Sequence, residues 1–265
     1  MLKIAFDPIY KHQLKIGHRF PMEKYELIPE NLLRKNICKS DNFFSPLPIE
    51  KQLLLSTHDE GYYNNLINLS LSKLDTRKIG FPLSKALIMR EHVIAQGTIQ
   101  NTRYARQYGV SMNIAGGTHH AFRDRPGAFC MLNDQAIASN YLIDNNFARR
   151  VMIVDLDVHQ GDGTASIFEH QDSVFTISFH GEKNYPFRKQ NSDFDLPLED
   201  NTDDNTYLNA LKYHLPRLAD LFNPDFIIWM DDERFKYHWP SHYRFIMEIH
   251  SEEESNRNGP PSDQE

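Results

Sequence analysis

The stretch Val151-Met-Ile-Val-Asp-Leu-Asp-Val-His159 decides the fold class of this 265-residue chain. Its first four residues are all apolar, which is typical of a strand buried on both faces of a parallel sheet. Asp155, Asp157 and His159 follow at alternate positions, so an extended chain directs all three to one side. Ligand sites in open α/β sheets lie at such carboxyl strand ends, and two acids with an imidazole suit a divalent metal. The stretch predicts a metal or catalytic site on an α/β fold, with a solvated sheet edge as the plainer alternative.

Apolar runs and longer helical stretches alternate along the chain, which predicts one three-layer domain with a mostly parallel sheet between helices. We expect strands at Lys3–Phe6, Val110–Ile114, Val151–Asp157, Val174–Phe179 and Phe226–Trp229. We expect helices at about Lys85 to Tyr108 and at Asn133–Leu142, Thr164–His170 and Tyr207–Phe222. The longest helix has Ser84 as N-cap and ends at Gly109. Its core-facing stripe is predicted at Ala86, Met89, Val93 and Gly97.

Charge and composition exclude several classes of protein. The formal net charge is −7, so the basic footprint of a direct nucleic-acid binder is absent. An acidic surface of this kind is ordinarily solvated, although it can also favour a basic partner. We find no apolar run long enough to span a bilayer and no secretory signal, so we expect a cytoplasmic protein. The two cysteines, Cys38 and Cys130, are too far apart in sequence for a thiolate zinc motif.

A second polar cluster lies in Ile114-Ala-Gly-Gly-Thr-His-His-Ala121. Adjacent residues of a strand face opposite sides, so His119 and His120 can serve one site only from an irregular loop, which the two glycines allow. Asp155 and Asp162 are available to fix the tautomers of these imidazoles. A histidine pair alone is more often a surface accident, but the Asp-x-Asp-x-His strand favours a shared site.

Together the motifs resemble the histone deacetylase superfamily of zinc-dependent deacylases, which has an arginase-like α/β fold. The matching stretches are Gly116-Gly-Thr-His-His-Ala121, Ala128-Phe-Cys-Met-Leu-Asn-Asp134 and Asp155-Leu-Asp-Val-His-Gln-Gly-Asp-Gly-Thr164. Further stretches look similar to bacterial members: Pro8–His12, Gly17–Tyr25 and Arg77–Ser84. The resemblance extends from the start of the chain to about Trp229, so we expect a partial catalytic domain at 1–229.

The resemblance implies roles for particular residues. Asp157 and His159 match two of three zinc ligands, and His120 matches the general base, with His119 as its electrostatic neighbour. Asp155 and Asp162 match the carboxylates that hydrogen-bond these histidines. Phe129 matches a wall of the acyl-lysine tunnel. Backbone groups match a potassium site at Asp155, Asp157, His159, Ser178 and Phe179.

The chain also departs from the family pattern. The third zinc ligand, an aspartate, is expected near Arg234, and arginine cannot bind a cation. The Gly-rich segment with the oxyanion tyrosine is absent, and Ala128 replaces a glycine usual before the tunnel phenylalanine. We therefore expect an atypical tail at 230–265, disordered from 251, a sheet incomplete on its C-terminal side, and a truncated or frame-shifted gene.

The resemblance implies hydrolysis of the amide of an acetylated lysine peptide or a small acylated amine, with Zn²⁺ and K⁺ as cofactors and with activity impaired by the missing groups. A non-catalytic acyl-lysine-binding protein and a gene product without function are the alternatives. An arginase-like binuclear hydrolase is a further possibility, but we find no second set of aspartate ligands. The oligomeric state is left open by the sequence.

Overall fold

The computed structural model describes residues 1–232 and 245–250. Its strands form one eight-stranded sheet, in the order β2-β1-β3-β8-β7-β4-β5-β6, and every pairing is parallel. The strands are β1 (Lys3–Ala5), β2 (Phe43–Phe44), β3 (Val110–Asn113), β4 (Val151–Asp155), β5 (Val174–Gly181), β6 (Phe194–Leu198), β7 (Phe226–Asp232) and β8 (Phe245–His250). Because they run in one direction, all their carboxyl ends meet at one edge of the sheet.

The α-helices of the described residues are α1 (Lys24–Arg34), α2 (Lys51–Leu55), α3 (Glu60–Ile67), α4 (Lys73–Ile79), α5 (Lys85–Tyr108), α6 (Asp134–Asp144), α7 (Asp162–Phe168) and α8 (Asp204–Phe222). Short 3-10 turns lie at Pro8–Tyr10 and Ser40–Asn42. Among the described residues, no helix combines the length and apolarity that crossing a bilayer demands.

The three-layer α/β architecture predicted from the sequence is confirmed. Along β4, Val151 and Ile153 pack against α6 and α7, whereas Met152 and Val154 pack against α8 on the opposite face. This alternation explains why the strand is apolar at every position. A third cluster packs α1, α2, α3 and α5 around β1.

The structure corrects the end of β4. The predicted strand continued to Asp157, but β4 ends at Asp155. The Asp155 carboxylate accepts a hydrogen bond from the backbone N–H of Asp157 at 3.0 Å, and the Asp157 carboxylate accepts one from His159 at 2.7 Å. Two successive Asx turns therefore replace the extended chain. The alternation argument was wrong for Asp157 and His159, because they lie on a loop after β4 and not on a strand face.

The stripe predicted for α5 was right at Val93 and Gly97, which are buried, but wrong at Ala86 and Met89, which are exposed. Ser84 caps the helix as expected, since its hydroxyl accepts a hydrogen bond from Leu87 N–H at 3.1 Å, and Gly109 ends it with a φ of +91°. However, Met89 is 46% exposed, whereas Leu87 and Ile88 are buried. The helix packs against both α6 and the sheet, so its buried surface is wide and is not a single narrow stripe.

Three strands were not predicted. β2 has two residues, and β6 is an edge strand that contains Pro197. β8 comes from the segment expected to be an atypical tail, yet it pairs with both β3 and β7. The expected disorder at 251–265 and the position of Arg234 lie outside the described residues.

Candidate active site

Loops after β3 and β4 meet at the carboxyl edge of the sheet. β3 and β4 are separated by β8 and β7, so the loop after β3 crosses the ends of those two strands to reach β4. Residues 114–121 of this loop are buried throughout. Gly116 and Gly117 have φ values of +118° and +68°, and these angles turn the chain so that both following histidines face β4.

Two carboxylate–imidazole pairs form where the loops meet. His119 Nδ1 donates to Asp155 Oδ2 at 2.6 Å, and His120 Nδ1 donates to Asp162 Oδ1 at 2.7 Å. The two imidazole rings lie 4.0 Å apart. Each pair leaves the Nε2 side of its ring facing away from the carboxylate. The partners predicted from the sequence are therefore brought together.

Asp157 and His159 form the neighbouring part of the site. His159 Nδ1 lies 3.0 Å from Asp157 Oδ1, and the His159 ring lies 6.0 Å from that of His120. Asp157 is fully buried, whereas the His159 side chain is 21% exposed. The imidazole thus lies between a buried carboxylate and the solvent side of the site.

Two glycines allow this close approach of loops. A Cβ on Gly161 would lie 2.3 Å from Asp155 Oδ2 and 3.3 Å from His119 Nδ1. A Cβ on Gly163 would lie 2.6 Å from the carbonyl oxygen of His119. Any side chain at either position would push the histidine loop away from β4.

Buried polar groups support the histidine loop from behind. Asp134 accepts hydrogen bonds from Thr118 N–H at 3.0 Å and from Thr98 Oγ1 at 2.7 Å. His58 Nδ1 donates to the carbonyl of Phe122 at 3.0 Å, and its Nε2 accepts from Asn133 N–H at 2.9 Å. These contacts hold the segment before and after the histidine pair in one conformation.

The two histidines differ in basicity. Burial lowers the pKa of His119, but the charge and hydrogen bond of Asp155 outweigh it and raise that pKa to about 9. Burial, followed by the positive charge on His119, lowers the pKa of His120 well below its ordinary value. Burial raises the pKa of Asp162 to about 6. At neutral pH the arrangement therefore has a protonated His119 beside a neutral His120.

Phe129 lies in an aromatic cluster near the histidine loop. Its ring centroid is 5.1 Å from that of Phe20 and 5.0 Å from that of Phe81, and the Arg19 guanidinium lies 4.7 Å from it. The unusual backbone angle in this segment belongs to Phe129 itself, with a φ of +55°, and not to Ala128.

Tyr185 is a site residue that sequence reasoning missed. Its ring packs edge-on against His120 at 4.8 Å and lies 6.2 Å from His159. The phenol also hydrogen-bonds to the backbone of Ala128. The available signal was the aromatic Asn184-Tyr-Pro-Phe187 segment directly after a predicted strand, since chain leaving a carboxyl strand end reaches the same edge.

Ser178 and Phe179 lie on β5 beside β4. Strand pairing places Ser178 opposite Asp155, and both β5 residues are buried. The backbone segments predicted to hold potassium are therefore neighbours, and the ion itself remains a prediction.

The donors of Asp157 and His159 fit two positions of a zinc site. Two ligands on a tetrahedral zinc, each about 2.0–2.1 Å from the ion, lie roughly 3.3 Å apart, and the observed separation of Nδ1 and Oδ1 is 3.0 Å. Within residues 1–230, whose side chains the structure describes, no three His, Cys, Asp or Glu residues form a metal-holding group, however. Asp157 and His159 therefore supply two donors of a kind that suits zinc.

This arrangement can be compared with known proteins. A family model described as the histone deacetylase domain matches residues 18–230. The chain belongs to the histone deacetylase family. Members of this family are deacetylase-type hydrolases, and the match covers all the site residues named above.

Several relatives are similar over much of this family member's length. An uncharacterized protein of Picosynechococcus is 38% identical over 226 residues, which cover 85% of this chain and 75% of that protein. Histone deacetylase B of Dictyostelium discoideum is 28% identical, with 80% of this chain and 56% of the relative covered. The acetoin utilization protein AcuC of Bacillus subtilis is 32% identical, with 53% and 39% covered.

Solved structures of the family agree with the fold. An HDAC homolog from Aquifex aeolicus superimposes with a TM-score of 0.74 at 26% identity, covering 86% of this chain and 68% of the other. An HDAC homolog complexed with SAHA superimposes with a TM-score of 0.75 at 26% identity, covering 93% and 72%. The predicted deacetylase-like fold is therefore confirmed.

Proposed function

We propose that this chain carries the site of a zinc-dependent deacylase that hydrolyses the amide of an acetylated lysine or acylated amine. The observation that carries the proposal is the pair of buried carboxylate–imidazole contacts, His119–Asp155 and His120–Asp162, directly beside Asp157 and His159. Hydrolysis of an amide needs a base for the attacking water and a proton for the leaving amine, and this arrangement offers both.

His120 is the general base in this proposal. Its low pKa keeps it neutral at pH 7, so its Nε2 can accept a proton from water. Asp162 holds the ring through Nδ1 and stabilises the imidazolium that forms. His119 lies 4.0 Å away, and as a protonated neighbour of high pKa it supplies positive charge and a proton source for the amine.

Asp157 and His159 would hold the zinc ion. When bound, zinc polarises the acyl carbonyl and lowers the pKa of water toward neutrality. Potassium would bind to backbone groups of Asp155, Asp157 and His159 and, from β5, of Ser178 and Phe179. The pairing of β4 with β5, which places Ser178 opposite Asp155, supports this assignment.

The substrate would enter beside Phe129. The ring belongs to an aromatic cluster with Phe20 and Phe81, and such apolar walls suit the methylene chain of an acylated lysine. A related HDAC homolog has been crystallised with SAHA, which supports a site of this shape. An acetylated lysine peptide and a small acylated amine remain equal candidates.

We propose further that catalysis by this chain is impaired. The expected third ligand position holds Arg234, and the segment with the oxyanion tyrosine is not found in the sequence. Loss of one oxyanion donor costs roughly 3–4 kcal/mol of barrier. Efficient turnover of an acetyl-lysine peptide would contradict this impairment.

Turnover of an acetyl-lysine peptide by purified, zinc-supplemented protein tests the main proposal, with zinc content measured in parallel. Stoichiometric zinc with turnover supports it. Binding of the peptide without turnover would favour a non-catalytic acyl-lysine-binding protein, a second candidate supported by the arginine at the expected third ligand position. If the protein shows no binding of the peptide and no turnover, both candidate functions are contradicted, and the chain is then a gene product without this function.

A further inference from the structure

A twelve-residue segment between β5 and β6 covers one side of the candidate site. We call residues 182–193 the strap. It carries Tyr185, whose ring contacts those of His120 and His159 and whose phenol hydrogen-bonds to Ala128, next to Phe129. The strap therefore carries a residue that contacts both imidazoles and the backbone next to Phe129.

Both the nitrogen and the oxygen of the Gln160 side-chain amide form hydrogen bonds to the strap. Its Nε2 donates to the carbonyl of Gln190 at 2.7 Å and to Asp195 Oδ1 at 2.8 Å. Its Oε1 accepts from the N–H of Gln190 at 2.9 Å. If the Gln160 amide were flipped, its oxygen would face the carbonyl oxygen of Gln190 and Asp195 Oδ1. The three contacts therefore determine the amide orientation and require an amide at this position.

Gln160 directly follows His159 and is almost fully buried. The Gln160 hydrogen bonds therefore connect the loop that carries Asp157 and His159 to the strap. Within the strap, Lys189 Nζ donates to the carbonyls of Asn184 and Pro186 at 2.5 and 2.8 Å. Lys189 precedes Gln190 in the chain, and Asn184 and Pro186 flank Tyr185, so these contacts connect the residue bonded to Gln160 with the turn that carries Tyr185.

We propose that Gln160 is a positioning residue that ties the strap to the His159 loop and so holds Tyr185 against the two imidazoles. A strap held in this way keeps the space beside Phe129 narrow, which favours a linear acyl-lysine chain over branched or bulky groups. The effect on ligands rests on the proposed function, whereas the effect on the strap does not.

Gln160→Glu tests the proposal because it keeps the length and one acceptor but loses the donor. It also places a carboxylate against the Gln190 carbonyl and Asp195. Gln171→Glu is the matched control, since the Gln171 side chain donates a hydrogen bond to Ser173 Oγ at 3.2 Å, just before the amino end of β5 and away from the strap. In amide hydrogen–deuterium exchange, we expect strap peptides to exchange at least about ten times faster in Gln160→Glu and unchanged in the control.

Binding separates positioning from a general loss of stability. We expect Gln160→Glu to weaken the affinity for SAHA or an acetyl-lysine peptide about ten-fold, and to add little when Tyr185 is already alanine, because both changes remove the same wall. Additive effects of the two changes, or strap exchange equal to that of the control, would overturn the proposal.

Two further outcomes are informative. If Gln160→Glu does not fold, Gln160→Met removes the same hydrogen bonds without a new charge, and the same exchange result is expected. If the wild-type chain binds neither ligand, the proposed function fails, but strap exchange still decides whether Gln160 holds the strap.

Discussion

The histidine pair and the Asp157–His159 loop lie at the same sheet edge, but they are held in different ways. Each histidine is bonded to a carboxylate from another segment, His119 to Asp155 and His120 to Asp162, and the loop behind is hydrogen-bonded on both sides. Asp157 and His159 instead bond to each other within one turn. His119 and His120 are thus held by contacts between segments, whereas the described contact between Asp157 and His159 lies within one turn. In the proposed function, a third donor to the metal would come from elsewhere.

This difference predicts which part fails first when one residue is changed. The largest effect is expected for His120→Asn, which removes the general base but leaves Asp157 and His159 in place. Turnover of an acetyl-lysine peptide should fall by roughly 10²–10⁴-fold, while zinc content stays the same. His170→Asn, an exposed histidine after α7, is the control. Undiminished turnover in His120→Asn would show that the base is another group.

A new ligand should strengthen the incomplete metal part. If the third position is at Arg234, Arg234→Asp should raise zinc affinity at least about ten-fold, or about 1.4 kcal/mol. Arg234→Gln removes the same positive charge without adding a ligand and should have a smaller effect. Isothermal titration with zinc measures both variants. Equal affinities of the two variants would contradict the position inferred from the sequence.

Gly161→Ala tests the close contact between the histidine loop and the loop that carries Asp157 and His159. The new Cβ would lie 2.3 Å from Asp155 Oδ2, so the His119–Asp155 pair must separate or the loop must move. We expect a loss of about 1–3 kcal/mol in the free energy of unfolding, which is several degrees in Tm. Gly61→Ala is the control, because nothing lies within 4 Å of its Cβ and it is in a helix. Equal Tm values for the two variants would contradict the crowding.

The smallest effect concerns the support behind the histidine loop. Burial lowers the pKa of His58 from 6.5 to about 4, so between these values the unfolded chain binds a proton that the folded chain does not. Stability should therefore fall as pH falls from 6.5 to 4, by about 2 kcal/mol or less at pH 5 from this residue. His58→Gln should be less stable at pH 7 but should flatten this slope. Denaturant unfolding at several pH values measures the difference, and parallel slopes would contradict it.

Local patterns predicted much of the fold. The apolar run Val151–Val154 requires burial on both faces, and this alone indicated a central strand of a parallel sheet. Ser84 and Gly109 predicted the ends of α5 because capping depends on neighbouring residues only. The stripe on α5 was wrong at Ala86 and Met89 because the position and width of a buried face depend on which elements pack there. β8 was missed because its position in the sheet depends on pairing with β3, which is distant in sequence.

For the candidate site, the sequence by itself determined which residue types are present and which could act as acid, base or ligand. That Asp155 and Asp162 hydrogen-bond the histidine pair could be anticipated from the motifs, whereas the structure assigned Asp155 to His119 and Asp162 to His120. Only the tertiary structure decided that Asp157 and His159 lie on Asx turns, that Tyr185 packs against His120, and that Gln160 holds the strap. These contacts join segments far apart in the chain or depend on backbone turns, so residue spacing along the sequence carries no record of them.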